Sequence, residues 1–139
     1  MHHPILPRPR ASHAPAVRVQ IAEDLPRVQR LLKGLIEQTP HMEVSGMDDT
    51  EAAALHRVKQ EHPDALVVDL NLREGSGLGL IQGVRLCLPT ELQPLIIVVT
   101  NHTLSALQVA CIKAGANHFL DKSRELPHLA LILQQVYFP

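Results

Sequence analysis

The sequence predicts an α/β fold in which a doubly wound parallel sheet of five strands has helices on both faces. Short apolar segments alternate five times with longer segments whose apolar residues recur every three or four positions. Two of the short segments, ALVVDL and LIIVVT, are almost continuously apolar, which is typical of strands covered on both faces. Parallel neighbours need long crossovers, and the intervening helices supply them.

The strands are predicted in the short apolar segments. In the first, Val17, Val19 and Ile21 alternate with Arg18 and Gln20, which is the period of a strand. The polar pair is unusual in a strand of this kind, and the pattern alone does not place its side chains. The five predicted strands are residues 17–21, 41–47, 65–70, 95–100 and 118–121.

The helices are predicted between the strands and after the last one. Asp49 or Thr50 can cap the second helix, Pro63 stops it, and Gly115 can end the fourth in a left-handed conformation. Cys87 and Cys111 fall on helical stripes and are expected in the core rather than in a disulfide. The five predicted stripes cover residues 28–36, 50–62, 78–88, 104–114 and 129–136.

The composition fits one globular domain, predicted at residues 17–138, in a chain of 139 residues. Residues 1–16 contain four prolines and little to bury, so they are predicted to form a flexible leader. A net charge of −1 and 2% aromatic residues argue against direct nucleic-acid binding. Without an apolar run of membrane-spanning length or a signal peptide, we expect a cytoplasmic protein with no membrane contact.

Polar residues follow four of the predicted strands. Glu23 and Asp24 end the first strand, Asp69 the third and Thr100 the fourth, while Lys122 follows the fifth. A strand order of 2-1-3-4-5 brings these ends together near the topological switch point, where α/β sheets bind ligands. The sequence therefore predicts one pocket with three carboxylates, a hydroxyl and an amine.

These groups suit phosphoryl transfer. Three neighbouring acids repel one another unless a cation lies among them, and Mg²⁺ prefers carboxylate oxygens and water. A lysine and a hydroxyl group suit the oxygens of a phosphoryl group, whose transfer needs mainly charge neutralisation and alignment. A carboxylate can itself accept the group and form an acyl phosphate.

Four segments of the chain, IAEDLPRV, ALVVDLNLREGSGLGLI, IIVVTNHT and AGANHFLDKS, resemble the receiver domain of bacterial two-component response regulators. The resemblance covers about residues 17–138 and implies a flavodoxin-like fold. It also implies a stand-alone phosphoacceptor, rather than an enzyme with a separate substrate, that can catalyse its own phosphorylation and dephosphorylation.

The resemblance assigns a role to each polar residue. It makes Asp69 the phosphoacceptor and also a metal ligand. Asp24 would bind Mg²⁺ directly, Glu23 would act through water or orient a ligand, and the backbone carbonyl of Asn71 would supply a further ligand.

Three further residues respond to the phosphoryl group in this interpretation. Thr100 would hydrogen-bond the phosphoryl oxygen, and Lys122 would form an ion pair with it. Phe119 stands at the place of the aromatic switch residue, which moves inward when Thr100 is drawn toward phosphate. His102 and His118 are expected to be exposed loop histidines.

The implied partners are a sensor histidine kinase or phosphotransfer protein and an unknown downstream protein. That protein would read the surface of the fourth helix, fifth strand and fifth helix, and a homodimer is possible.

Two alternatives stay open. Arg73 stands where proline is common, so the loop after Asp69 is expected to be less rigid. Asn101 follows Thr100 where a small residue is usual, and Phe119 has no hydroxyl group. These departures favour a degenerate receiver that acts as a phosphorylation-independent interaction module. The other alternative is a small α/β enzyme or nucleotide-binding domain, although the glycines of residues 75–79 form GxGxG rather than GxGxxG.

Overall fold

The computed structural model describes residues 16–139, which contain a five-stranded parallel sheet with helices on both faces. The spatial order is β2-β1-β3-β4-β5, so the predicted fold class is confirmed. The predicted leader lies outside the described residues except for Ala16. The strands are β1 (Val17–Ala22), β2 (Met42–Asp48), β3 (Ala65–Val68), β4 (Leu95–Thr100) and β5 (His118–Asp121).

Five helices connect and follow the strands. Thr50 caps the second, because its hydroxyl group accepts a hydrogen bond from the Ala53 amide at 3.2 Å. Gly115 ends the fourth with a φ of 119°, as predicted. In the described part of the chain, each helix is too short or too polar to cross a lipid bilayer. The helices are α1 (Pro26–Glu37), α2 (Glu51–Glu61), α3 (Gly77–Cys87), α4 (Ser105–Ala114) and α5 (His128–Tyr137).

Alternate residues of the central strands pack into two separate cores. Val67 and Ile97 face α1 and α5, whereas Leu66 and Ile96 face α2, α3 and α4. All four side chains are buried, which explains why β3 and β4 are apolar at every position. Covering both faces in this way leaves the strand ends as the place where polar groups can gather.

The two polar residues of β1 have defined partners. Gln20 is fully buried, and its side-chain amide donates to the Ala54 carbonyl of α2 at 2.9 Å. Arg18 lies near the start of the strand and donates to the Glu61 carbonyl at 2.7 Å. Both residues therefore tie the sheet to α2, and the buried amide group of Gln20 needs such a hydrogen-bond partner.

Several sequence-based predictions of detail are wrong. Cys87 is exposed because it follows Val84, the last buried residue of α3, whereas Cys111 is buried as predicted. Leu104 is 75% exposed because it precedes α4 as its N-cap residue. Leu31 is exposed because the apolar stripe of α1 is wider than the surface that the sheet covers. The third strand ends at Val68, two residues early, although Leu70 is still buried.

Arg85 joins α3 to the loop before β4 and to the loop before β5. Its guanidinium group donates to the carbonyls of Gly115 at 2.8 Å and Pro94 at 2.8 Å. It also donates to the side-chain oxygens of Gln93 at 2.7 Å and Asn117 at 3.0 Å. Burial lowers the pKa of Arg85 to about 10. The four acceptors are uncharged, so hydrogen bonding rather than an ion pair holds this cation.

Replacing Arg85 with methionine should lower the free energy of unfolding by about 2–3 kcal/mol, because several acceptors lose their donor at once. Urea denaturation measures the change. The matched control is Arg30→Met on the exposed side of α1, which should have little effect. Equal stabilities of the two variants would contradict a structural role for Arg85.

Candidate functional site

The candidate site lies where the chain leaves β1 and β3, at the switch point of the sheet. The Asp69 amide donates to the Ala22 carbonyl at 2.9 Å, and the Glu23 amide donates to the Asp48 carbonyl at 2.9 Å. These bonds extend the parallel ladders one residue beyond the strands. They hold Glu23 and Asp69 at fixed places although neither residue lies within a strand.

Three carboxylates meet at this point. Glu23, Asp24 and Asp69 each place one oxygen within 4.8 Å of the others. Glu23 is fully buried, Asp69 is 7% exposed and Asp24 is half-buried. Carboxylate oxygens are hard ligands, and their mutual repulsion in a buried place favours a bound cation. The ligand set therefore fits Mg²⁺.

The ammonium group of Lys122 bridges two of these carboxylates. Its nitrogen lies 2.6 Å from Oε1 of Glu23 and 2.7 Å from Oδ2 of Asp69. The lysine side chain is only 12% exposed, and the Lys122 amide donates to the Thr100 carbonyl at 2.9 Å. With every group ionised, three carboxylates and one ammonium group leave two negative charges. A divalent cation would balance them.

Glu23 also forms hydrogen bonds with the segment that leads into α1. Its second oxygen, Oε2, accepts a hydrogen bond from the Asp24 amide at 2.8 Å, and its backbone carbonyl accepts one from Gln29 at 2.6 Å. These bonds fix the turn between β1 and α1, but Glu23 is not the cap of the helix, because Leu25 is the N-cap residue of α1. Both carboxylate oxygens already have donors from the protein, so Glu23 is better placed to orient a ligand than to bind a cation alone.

The environment shifts the proton equilibria of Glu23 and Lys122. Burial raises the pKa of Glu23 to about 7, and the neighbouring Asp24 and Asp69 add to the rise, which the hydrogen bond from Lys122 partly opposes. Burial alone would lower the pKa of Lys122, but its hydrogen bonds to Asp69 and Glu23 outweigh burial and raise it. Lys122 therefore keeps its charge, whereas Glu23 can exchange a proton near neutral pH.

The remaining predicted site residues lie around this cluster. Thr100 is fully buried at the end of β4, and its hydroxyl group accepts a hydrogen bond from the His102 amide at 3.2 Å. The Asn71 amide donates to Oδ1 of Asp69 at 3.3 Å. Phe119 is partly buried against the core that contains α3 and α4.

Two relationships were missed from the sequence. Lys122 was paired with the phosphoryl group alone, but it also contacts Glu23. His102 is exposed as predicted, yet its Nε2 lies 2.5 Å from the side-chain amide nitrogen of Asn71, so the loops after β3 and β4 are in contact.

His118, expected in an exposed loop, is instead half-buried in β5, and burial lowers its pKa. The period of a strand reveals which face a residue takes but not how far its side chain reaches.

The sequence profile of the response regulator receiver domain matches residues 19–134, which include all the residues of the candidate site. The chain belongs to this family. Receiver domains function in two-component signalling, so the predicted family is confirmed.

Curated relatives of this receiver domain are longer proteins. Protein-glutamate methylesterase/protein-glutamine glutaminase 3 of Anaeromyxobacter dehalogenans (strain 2CP-C) is 30% identical over 110 residues, covering 78% of this chain and 31% of the relative. The DNA-binding transcriptional activator DevR/DosR of Mycobacterium tuberculosis is 30% identical over 120 residues, covering 86% of this chain and 54% of the relative. The chain thus spans about a third and about half of their lengths.

Solved structures share the fold of this receiver domain. The receiver domain of the response regulator NarL from Mycobacterium tuberculosis has a TM-score of 0.77 at 24% identity, covering 88% of this chain and 98% of that one. A receiver domain of a sensor histidine kinase from Pseudomonas aeruginosa has a TM-score of 0.75 at 21% identity, covering 87% and 97%. That structure has a magnesium ion coordinated in its active site cleft.

The raised pKa of Glu23 predicts a pH-dependent stability without divalent cations. Between the ordinary pKa near 4.5 and the folded value of about 7, the native domain binds more protons than the unfolded chain. The contribution of Glu23 to stability is therefore complete below pH 4.5 and is lost as the pH rises through 7. Urea denaturation in a chelator, at intervals from pH 5 to pH 8, measures it.

The matched control is Glu23→Gln, which keeps the shape of the protonated side chain but cannot titrate. The stability of the wild-type domain should fall relative to this variant as the pH rises. Parallel curves for the two proteins would show that Glu23 titrates at its ordinary value.

Proposed function

We propose that this receiver domain accepts a phosphoryl group on Asp69 and carries it as an acyl phosphate, with Mg²⁺ bound at the acidic cluster. The observation that carries the proposal is the contact of Lys122 with Asp69 and Glu23, at 2.7 Å and 2.6 Å. A lone ammonium group does not balance three carboxylates, so the cluster suits a second cation. The cluster also contains a hydrogen-bond donor, Lys122, beside a carboxylate oxygen of Asp69, the residue that would be phosphorylated.

The proposed donor is a phosphohistidine of a sensor histidine kinase or a phosphotransfer protein. One carboxylate oxygen of Asp69 attacks phosphorus and forms a P–O bond, while the P–N bond breaks and its electron pair remains on the histidine nitrogen. Bound Mg²⁺ supplies charge neutralisation for the phosphoryl oxygens. Asp24, Asp69 and the backbone carbonyl of Asn71 would hold it, with Glu23 acting through water or by orienting a ligand. The magnesium in the Pseudomonas aeruginosa structure supports the same cation here.

Lys122 and Thr100 would bind the phosphoryl group after transfer. Lys122 can move its hydrogen bond from the Asp69 carboxylate to a phosphoryl oxygen, because its ammonium group has three donors. Thr100 would exchange its contact with the His102 amide for one with phosphate. Phe119 is the register partner of Val98, two residues before Thr100 on the same face of the sheet, so a shift of Thr100 would alter the packing around Phe119.

The proposed output is a protein–protein contact made by α4, β5 and α5. Val109 and Ile112 of α4 are exposed, at 51% and 44%. Surfaces outside the acidic cluster determine which downstream protein binds and whether the domain pairs with a copy of itself.

Incubation with acetyl phosphate and Mg²⁺ should add the mass of one phosphoryl group to the protein. The Asp69→Asn variant should gain none, because an amide oxygen is a poor nucleophile and forms no stable acyl phosphate. Intact-protein mass spectrometry measures the addition, and omission of Mg²⁺ serves as a further control.

Asp121→Asn is a matched variant at the end of β5, outside the acidic cluster, and should be phosphorylated like the wild-type protein. If the wild-type chain gains no mass, or Asp69→Asn gains as much, the phosphoacceptor proposal fails. If the wild-type chain gains no mass, the degenerate receiver that acts without phosphorylation is the better account.

Replacing Lys122 with methionine should change metal binding and phosphorylation in opposite directions. The loss of a competing cation leaves three negative charges rather than two, so Mg²⁺ should bind several-fold more tightly. Phosphorylation at saturating Mg²⁺ should slow by at least about tenfold, because a donor to the phosphoryl oxygens is lost. Calorimetric titration and mass spectrometry measure the two effects.

Lys113→Met, on the exposed side of α4, removes the same charge away from the cluster and should change neither quantity. A Lys122→Met variant that binds Mg²⁺ more weakly than the wild-type domain would contradict the assigned competition.

A further inference from the structure

The loop that carries Asn71 rests on the beginning of α2. The Arg73 amide donates to the Asp49 carbonyl at 2.8 Å, and the Glu51 amide donates to the Glu74 carbonyl at 3.0 Å. The Arg73 guanidinium group also donates two hydrogen bonds to the Asp49 carboxylate, at 2.9 and 3.3 Å. Arg73 stands where proline is common in the family. Its contacts with Asp49 restrain the loop in place of a proline ring.

The carboxylate of Glu51 fits into the glycine-rich part of this loop. Its Oε1 accepts a hydrogen bond from the Ser76 amide at 2.9 Å. A Cβ atom at Gly75 would lie 2.5 Å from Cβ of Glu51, and one at Gly79 would lie 2.5 Å from its Oε1. Gly75 also has a φ of 77°, which favours glycine. Two glycines of the GxGxG pattern therefore make room for one side chain.

The third glycine serves the other end of the loop. A Cβ atom at Gly77 would lie 2.3 Å from the Asp69 carbonyl oxygen, so the chain passes directly over the phosphoacceptor candidate. The sequence pattern that does not match a nucleotide-binding loop thus has a physical explanation. It lets the loop pack between Asp69 on one side and Glu51 on the other.

A short chain of contacts connects Glu51 to the acidic cluster. Ser76, which Glu51 holds, forms an antiparallel bridge with Asn71. The Asn71 amide in turn donates to Oδ1 of Asp69 at 3.3 Å. Asn71, whose carbonyl group is expected to bind Mg²⁺, is therefore paired with Ser76, and the Glu51 carboxylate holds Ser76 in place.

We infer that Glu51 is a positioning residue, which holds the Asn71 carbonyl in the place where it binds Mg²⁺. This inference rests on the proposed function, because it concerns the metal of that site. Glu51 is the stronger of the two attachments, since its half-buried carboxylate accepts a backbone N–H beside the start of α3. The Asp49–Arg73 pair is exposed, and exposed pairs stabilise little.

The test is calorimetric titration of the full chain with Mg²⁺. Glu51→Ala should weaken Mg²⁺ binding by about tenfold, as is typical when a group that orients a metal ligand is lost. Glu51→Gln keeps an oxygen that can accept from the Ser76 amide, so it should restore most of the affinity. Glu91→Ala removes an exposed carboxylate elsewhere and should bind Mg²⁺ like the wild-type chain.

A second readout separates positioning from general damage. At saturating Mg²⁺, Glu51→Ala should be phosphorylated by acetyl phosphate at nearly the wild-type rate, because only the placement of the metal ligand has been weakened. A rate that stays low at saturating Mg²⁺, with a parallel loss of stability in a chelator, would overturn the inference in favour of a merely structural role.

Gly79→Ala provides an independent variant in which Glu51 itself is kept. The added methyl group meets the Glu51 carboxylate and should displace it, so Mg²⁺ binding should weaken although alanine favours the helix. If Glu51→Ala fails to fold, this variant still decides the question.

Unchanged Mg²⁺ affinity in Gly79→Ala, or in a folded Glu51→Ala, overturns this inference alone. A wild-type chain that binds no Mg²⁺ overturns the proposed function and this inference with it.

Discussion

The ammonium group of Lys122 holds together carboxylates that would otherwise repel one another. It bonds to Glu23 and Asp69, which lie 99 and 53 residues away in the chain. Because all three side chains are largely buried, such contacts are stronger than at a surface, and leaving either acid without a partner would be costly. The remaining negative charge gives the domain a reason to bind a cation, and each feature of the candidate site follows from this balance.

The sheet makes that balance possible. Parallel strands bring their carboxyl ends to one edge, so residues that directly follow β1, β3 and β5 meet without any local sequence relationship. Both faces of β3 and β4 are covered by helices, which keeps the neighbouring backbone rigid and restricts water. The loop after β3 completes the edge, and its attachment to α2 extends the site to residues that never touch the acids.

The alternation of apolar segments was enough to predict a parallel sheet with helices on both faces, because that depends only on period and chain direction. It did not determine the strand order 2-1-3-4-5, which belongs to the flavodoxin-like fold that the resemblance implies and which brings Glu23, Asp69 and Lys122 together. It was not enough to predict that Lys122 reaches Glu23, since this depends on side-chain length across two intervening strands. Cys87 was misplaced because a helical stripe does not reveal where the neighbouring surface ends. The contact of Glu51 with the glycine-rich loop was missed because the two are distant in sequence. A glutamate at the start of a helix is also common, so its residue type gave no sign of the contact.

The most direct test of the charge balance is a crystal of the full chain soaked with Mn²⁺, whose anomalous scattering locates the ion. We expect one peak within coordination distance of the Asp24 and Asp69 carboxylates and the Asn71 carbonyl, with the Lys122 ammonium drawn away from at least one of its two acids. If Mn²⁺ at saturating concentration leaves both lysine contacts intact and produces no peak there, Lys122 already satisfies the pocket and the account is wrong.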